Sequence, residues 1–132
     1  MTQTMHGSVG TEEENNQKLL RETDQYLRGY ALNRKLLRLD RYEREFFKQR
    51  ETEAGEPFGE GVLARARMFE IRHFVMSMDN SDEKLFLYYH YIKGQSVERC
   101  GELLGLSRSS AFRMKKRALL LAGRHRNSLE TT

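Results

Sequence analysis

The chain of 132 residues contains no tryptophan, one proline and one cysteine. A single cysteine can form neither an internal disulfide nor a zinc site built on several cysteines, so we expect the fold to depend on neither. The scarcity of proline and the lack of a long alternating run of β-branched residues favour helix over strand. With 38% hydrophobic residues, the sequence predicts an all-α protein with one modest core.

Long apolar runs are also missing from the chain. No stretch approaches the roughly 20 apolar residues that a membrane-spanning helix requires. The first ten residues, MTQTMHGSVG, lack the basic and apolar regions of a signal peptide. We therefore expect a cytoplasmic protein with no membrane partner.

Residues 94–118, GQSVERCGELLGLSRSSAFRMKKRA, have the spacing of two short helices joined by a tight turn. Ser96 and Ser107 stand where a hydroxyl would cap the first and the second helix. Gly105 stands at the turn, where a left-handed backbone conformation costs glycine little. Gly101 has no side chain and would let the two helices cross closely. Together these features predict a helix-turn-helix.

The apolar positions of this motif predict which side of each helix is buried. The expected inner residues recur at helical intervals and are Cys100, Leu103, Leu104, Ala111, Met114 and Ala118. A larger side chain at Gly101 would meet the second helix near Ala111. Because Cys100 lies on the inner face, we expect its thiol to serve packing rather than chemistry.

The order of small, glycine and apolar residues in this stretch resembles the DNA-binding helix-turn-helix of the sigma-70 region 4 type. Small phage-borne late-transcription regulators of Gram-positive bacteria look similar. The direct motif covers about a fifth of the chain and implies a three-helix DNA-binding domain at residues 79–122 that acts near RNA polymerase. Nothing in the chain looks like the region of a sigma factor that melts promoter DNA, so the resemblance implies a regulator rather than a complete sigma factor.

The second helix of the motif has a basic outer side, and residues 104–128 contain no acidic residue. Arginine can pair bidentately with guanine in the major groove, while serine and lysine hold phosphates. An outward Phe112 could contact a thymine methyl group. The predicted DNA-binding residues are Ser107, Arg108, Ser109, Ser110, Phe112, Arg113, Lys115, Lys116 and Arg117.

Residues 12–78 predict a helical brace ahead of the DNA-binding domain. A first helix of about 38 residues is expected to end at the glycine- and proline-containing segment 51–61. A second helix, residues 62–78, is expected to pack back on it. The best apolar stripe of the first helix comprises Leu32, Leu36, Leu39, Tyr42 and Phe46. One short partner helix is not expected to cover so much apolar surface, so we predict a homodimer through the N-terminal helices.

The remaining segments are predicted as two tails and one short helix. Residues 1–11 are small and polar, which predicts a disordered tail, and residues 123–132 predict a frayed basic tail. Between the brace and the motif, Asn80 and Glu83 have the spacing of a capping box at the start of a third helix. Its expected apolar face comprises Leu85, Tyr88, Tyr89 and Ile92.

These patterns favour a sequence-specific DNA-binding transcription regulator whose partners are duplex DNA and, by the resemblance, RNA polymerase. Two alternatives stay open. A phage DNA-packaging or recombination accessory protein could use the same module, and a helical interaction protein could bind RNA polymerase or sigma without binding DNA. No glycine-rich loop, carboxylate pair or triad-like motif indicates an enzyme, and we expect no cofactor or metal.

Overall fold

The computed structural model describes residues 10–47 and 60–130, and all regular structure in these residues is helical. The helices are α1 (Glu12–Phe47), α2 (Glu60–Met76), α3 (Ser81–Leu87), α4 (Val97–Leu103) and α5 (Arg108–Glu130). A wider π-helical turn, Tyr88–Ile92, continues α3. None of the helices in these two ranges combines the length and the apolar character needed to cross a bilayer. The prediction of an all-α fold with a long first helix is confirmed.

A reciprocal capping box fixes the start of α1. The Thr11 hydroxyl accepts a hydrogen bond from the Glu14 amide at 3.0 Å, and the Glu14 carboxylate accepts one from the Thr11 amide at 3.1 Å. Thr11, which falls in the predicted tail of residues 1–11, therefore caps α1, and residues 1–9 lie outside the described residues. Residues 51–59 of the predicted helix break at 51–61 also lie outside the described residues. Helix α2 already begins at Glu60.

Two clusters of buried side chains form the core of residues 10–47 and 60–130. The larger joins α1, α2, the end of α3 and α5 through Leu27, Tyr30, Ile71, Phe74, Val75, Met78, Leu87, Tyr91, Ile92, Ala118, Leu119 and Ala122. The smaller lies inside the helix-turn-helix and comprises Phe86, Val97, Cys100, Ala111 and Met114. Because α5 contributes to both clusters, the helix-turn-helix is packed directly onto the brace.

Helix α1 buries a different face from the one that its best apolar stripe indicates. Thr23, Leu27, Tyr30 and Asn33 are buried, whereas the larger side chains of the predicted stripe are mostly exposed. Helix α2 lies close to α1 at Gly29, where an added Cβ would lie 3.2 Å from the Cδ1 atom of an isoleucine on α2. The true buried face includes a glycine and two polar residues, so its hydrophobic periodicity is weaker than that of the exposed stripe.

The π-helical turn decides which side chains of α3 reach the core. Phe86 and Leu87 are buried, and so are Tyr91 and Ile92, five residues later. A π-helical turn closes hydrogen bonds between residues five apart and so brings both pairs to one side. The predicted apolar face is therefore correct for Ile92 and wrong for Leu85, which is 40% exposed.

Helix α5 extends through Glu130, beyond the point at which fraying is predicted. Gly123 is buried against α1, and an added Cβ there would lie 2.6 Å from the Thr23 Oγ1 atom. The Arg126 guanidinium lies 3.9 Å from the centre of the Tyr26 ring. Residues 123–130, which fall in the predicted frayed tail, thus continue α5, and Gly123 and Arg126 lie against α1. Residues 131–132 lie outside the described residues.

A half-buried polar contact joins the π-helical turn to α1. The Tyr91 hydroxyl donates a hydrogen bond to the Asp24 carboxylate, which also accepts one from Arg28 Nε at 2.7 Å. Burial raises the pKa of the Asp24 carboxyl, but the hydrogen bonds from Tyr91 and Arg28 outweigh it, and the pKa lies below its usual value. The ionised carboxylate therefore stabilises the contact between the two helices.

Replacing Tyr91 with phenylalanine is expected to lower the free energy of unfolding by about 1.5–3 kcal/mol, as for other hydrogen bonds to a charged group. The depressed pKa of Asp24 means that this contribution is present above its unfolded value of about 3.9 and is lost as the pH falls through the folded value. Urea unfolding of Tyr91→Phe and of the wild type should therefore differ at pH 7, and the difference should shrink as the pH falls below about 4 and vanish below the folded pKa of Asp24. Tyr88→Phe, in the same turn, is the matched control, and an equal loss in both variants would contradict this account.

Candidate nucleic-acid interface

Helix α4, the turn after it and the first half of α5 form a helix-turn-helix with the predicted caps. The Ser96 hydroxyl accepts a hydrogen bond from the Arg99 amide at 3.0 Å. The Ser107 hydroxyl accepts one from the Ser110 amide at 3.2 Å. Gly105 has φ of +74°, the left-handed conformation that glycine adopts readily. Both predicted caps and the predicted turn glycine are confirmed.

The two helices of the motif cross at Gly101. An added Cβ at Gly101 would lie 2.6 Å from the Ala111 Cβ, closer than two carbon atoms can approach without a shift. Cys100 and Ala111 are buried beside the crossing, as predicted, whereas Leu103 is exposed. The prediction for Leu103 is wrong because the helix ends there, and Leu104, in a non-helical conformation, packs against the cluster instead.

Four side chains project from the side of α5 that faces away from the core: Ser109, Phe112, Arg113 and Lys116. Their spacing of three and four residues places them on one helical face. Phe112 remains 46% exposed, and an Arg113 guanidinium nitrogen donates a hydrogen bond to the Ser110 hydroxyl at 3.1 Å. We call these four residues the α5 outer face; they combine two cations, a hydroxyl and an aromatic ring.

The arginines that flank the α5 outer face are paired with carboxylates from other helices. Arg108 Nε lies 3.2 Å from a Glu98 carboxylate oxygen of α4. Arg117 Nε lies 2.9 Å from a Glu83 carboxylate oxygen of α3. Neither carboxylate belongs to the acid-free stretch that the sequence shows, so the surface is less positive than the sequence alone indicates. The Arg108–Glu98 pair is exposed on both sides, and exposed ion pairs contribute only about 0–1 kcal/mol, so a phosphate could readily replace Glu98. The Glu83 side chain is only 15% exposed, so exchanging Glu83 for a phosphate would cost more.

Sequence reasoning missed both carboxylates. Glu83 is predicted to cap α3, but the Asn80 side chain makes no capping hydrogen bond, and the Glu83 carboxylate accepts a hydrogen bond from Arg117 instead. The two residues are 34 positions apart, and no local pattern signals such a pair. The π-helical turn and the fold of α4 onto α5 have to be known before Glu83 and Glu98 can be placed.

Lys115 lies outside the α5 outer face, towards the buried side of the helix. It is half-buried, and its charge acts on groups near α1. Lys115 helps to lower the pKa of the Asp24 carboxyl. Burial lowers the pKa of His90, and Lys115 adds to that effect. Lys115 therefore faces the brace rather than the α5 outer face.

The remaining candidate groups are placed for structure. Cys100 is buried, and burial raises the pKa of its thiol. His90 Nδ1 donates a hydrogen bond to the Gln95 carbonyl at 2.7 Å and so fastens the segment before α4. Within residues 10–47 and 60–130, no group of three or more histidine, cysteine, aspartate or glutamate residues is arranged to hold a metal ion.

No protein-family model, curated protein or solved structure matches this chain. The resemblance of residues 94–118 to the sigma-70 region 4 type therefore stays a prediction from the sequence. What the surface can bind has to be inferred from its shape and its chemistry.

Proposed function

We propose that this chain is a sequence-specific DNA-binding transcription regulator that places the first half of α5 in the major groove of duplex DNA. An α-helix with its side chains is about 10–12 Å wide, which fits a major groove about 12 Å wide. The α5 outer face provides side chains that can reach the bases. The observation that carries the proposal is the close crossing at Gly101, which holds a helix with this exposed face at a fixed angle.

The chemistry of each side chain supports a division of roles within this proposal. Arg113 can donate two parallel hydrogen bonds to a guanine, and Phe112 can contact a thymine methyl group. Ser109 and Lys116 are suited to a base edge or a phosphate. Arg108 and Arg117 would hold phosphates after exchanging their carboxylate partners.

Ser107, Ser110 and Lys115 have smaller roles in the proposal. Ser107 and Ser110 already accept hydrogen bonds within the motif but keep exposed or half-exposed hydroxyls that could reach a phosphate. Lys115, on the side of α1, would add only long-range attraction. The resemblance of the motif adds a cytoplasmic role in transcription, of phage or prophage origin, with RNA polymerase as a second partner.

Selection of binding sites from random duplexes, followed by affinity measurement with the full chain, tests the proposal. The selected duplex is expected to bind at least about a thousandfold more tightly than a scrambled duplex of the same length. Binding of both should weaken steeply between about 50 and 200 mM salt because phosphate contacts release counterions. Equal affinity for the selected and scrambled duplexes would contradict sequence-specific recognition, and absent DNA binding would favour the interaction protein.

A further inference from the structure

The second half of α1 carries an apolar stripe that the described part of the fold leaves exposed. Leu32, Leu39, Tyr42 and Phe46 are 58%, 61%, 66% and 67% exposed; we call these four residues the α1 stripe. Leu32, Leu39 and Phe46 are spaced by seven residues, and the half-buried Leu36 stands between the first two. A spacing of seven is typical of helices that pack along one another over their whole contact.

We propose that the α1 stripe is a homodimer interface in which the α1 helices of two copies pack antiparallel, with the two-fold axis at Leu39. In this arrangement Leu39 faces the partner's Leu39, and Leu32 faces the partner's Phe46. A two-fold interface is self-complementary, so each large ring meets a smaller aliphatic side chain at both ends. The inference goes beyond DNA binding and does not depend on it.

The α1 stripe is large enough to bind a second copy of the chain. Aromatic side chains bury about 150–250 Å² each, so two aromatics and two leucines that are about 60% exposed offer on the order of 500 Å² per copy. Two copies would together bury about 1,000 Å², which is the lower limit for a specific protein–protein interface. The expected dimer is therefore one of moderate affinity, in the micromolar range.

The position of Glu43 decides the direction of the two helices. Glu43 follows Leu39 by four residues and precedes Phe46 by three, so it lies beside the α1 stripe, and it is exposed. Parallel helices in register would place the two Glu43 carboxylates opposite each other across the seam, where like charges destabilise. Antiparallel helices with the axis at Leu39 separate the two residues by eight positions, or about 12 Å along the axis. The repulsion is then largely screened by water and salt.

Sedimentation of the full chain without DNA tests whether the dimer forms. The wild type is expected to dimerise at micromolar concentration, and Leu39→Glu should weaken dimerisation at least about tenfold, because a charge would be buried at the seam. Phe69→Glu is the matched control, since Phe69 lies on α2 and is 66% exposed, close to the 61% of Leu39; it should leave the dimer intact. A wild-type chain that stays monomeric at these concentrations would overturn the proposal, as would equal weakening by both variants.

Disulfide trapping tests the direction of the helices. Leu39→Cys should form a disulfide-linked dimer on its own, whereas two copies of Leu32→Cys would be about 21 Å apart, too far for a disulfide. A mixture of Leu32→Cys with Phe46→Cys should cross-link, and the wild type, whose Cys100 is buried, should not. Efficient cross-linking by Leu32→Cys alone would indicate parallel helices and overturn the antiparallel arrangement. Duplex affinity measured on the same variants reports separately on DNA binding.

Discussion

Replacing Arg113 or Lys116 with alanine is expected to weaken binding to the selected duplex while leaving the fold intact. Both side chains lie on the exposed face of α5, and neither contributes to the two core clusters. Arg113 loses only a hydrogen bond to an exposed serine hydroxyl. The helical content and the free energy of unfolding should therefore stay close to those of the wild type.

The two variants are expected to differ in how they weaken binding. Loss of a base contact by Arg113→Ala should cost about 1–3 kcal/mol, or roughly 5- to 150-fold in affinity, and should relax specificity at one base pair. If Lys116 holds a phosphate, Lys116→Ala should weaken all duplexes about equally and reduce the salt slope by about 1. The two effects can be separated by titrating each variant with the selected duplex and with single-base variants of that duplex, each at several salt concentrations.

Arg72→Ala provides the matched control for this pair. Arg72 is an exposed arginine of α2, so its replacement removes the same charge from a helix outside the proposed interface. A loss of affinity in Arg72→Ala as large as in Arg113→Ala would indicate a general charge effect rather than a defined contact. Wild-type affinity in both the Arg113 and Lys116 variants would place the DNA surface elsewhere on the molecule.

The helix-turn-helix could be predicted in detail because its determinants are local. Serine caps act over three residues, a left-handed turn needs one glycine, and the burial of Ala111 and Met114 follows from helical spacing. The α5 outer face follows from the same spacing. Each of these features is fixed within about one helical turn of the residue that signals it.

The packing of α1 could not be predicted because tertiary contacts outweigh its hydrophobic pattern. Thr23 and Asn33 are buried while Leu32 and Leu39 are exposed. Asn33 satisfies its side chain locally by donating to the Gly29 carbonyl at 2.7 Å, which lowers the cost of burying an amide. A count of apolar residues cannot detect a polar side chain that is satisfied in this way.

The charge of the candidate site was only partly predictable for a related reason. The basic residues of α5 are adjacent in sequence, but the carboxylates that pair with Arg108 and Arg117 come from α4 and α3. Lys115 looks equivalent to Lys116 when only the sequence of basic residues is considered, yet its side chain lies about 100° around the helix from that of Lys116, towards α1. The two lysines differ in the direction in which their side chains leave α5. That direction can be predicted from the sequence only once the buried face of α5 is known.

Replacing Gly101 with alanine or leucine is expected to destabilise the helix-turn-helix. In an open helix interior the change from glycine to alanine stabilises by about 1 kcal/mol, because glycine has the lower helix propensity. At Gly101 the added Cβ would lie 2.6 Å from the Ala111 Cβ and 3.5 Å from the Leu106 carbonyl oxygen. The crossing helices must then separate, so the sign of the effect should reverse.

The leucine variant is expected to have the larger effect, since overpacking a close contact costs about 1–3 kcal/mol or more. Such a loss is a substantial part of the roughly 5–15 kcal/mol by which a small domain is stable. The displaced α5 should also bind the selected duplex more weakly. Urea unfolding and duplex titration measure the two effects. Glu102→Leu, which adds the same side chain to the exposed side of α4, is the control. A Gly101→Ala chain more stable than the wild type would mean that the helices cross elsewhere, because only a close contact at this residue can reverse the propensity gain.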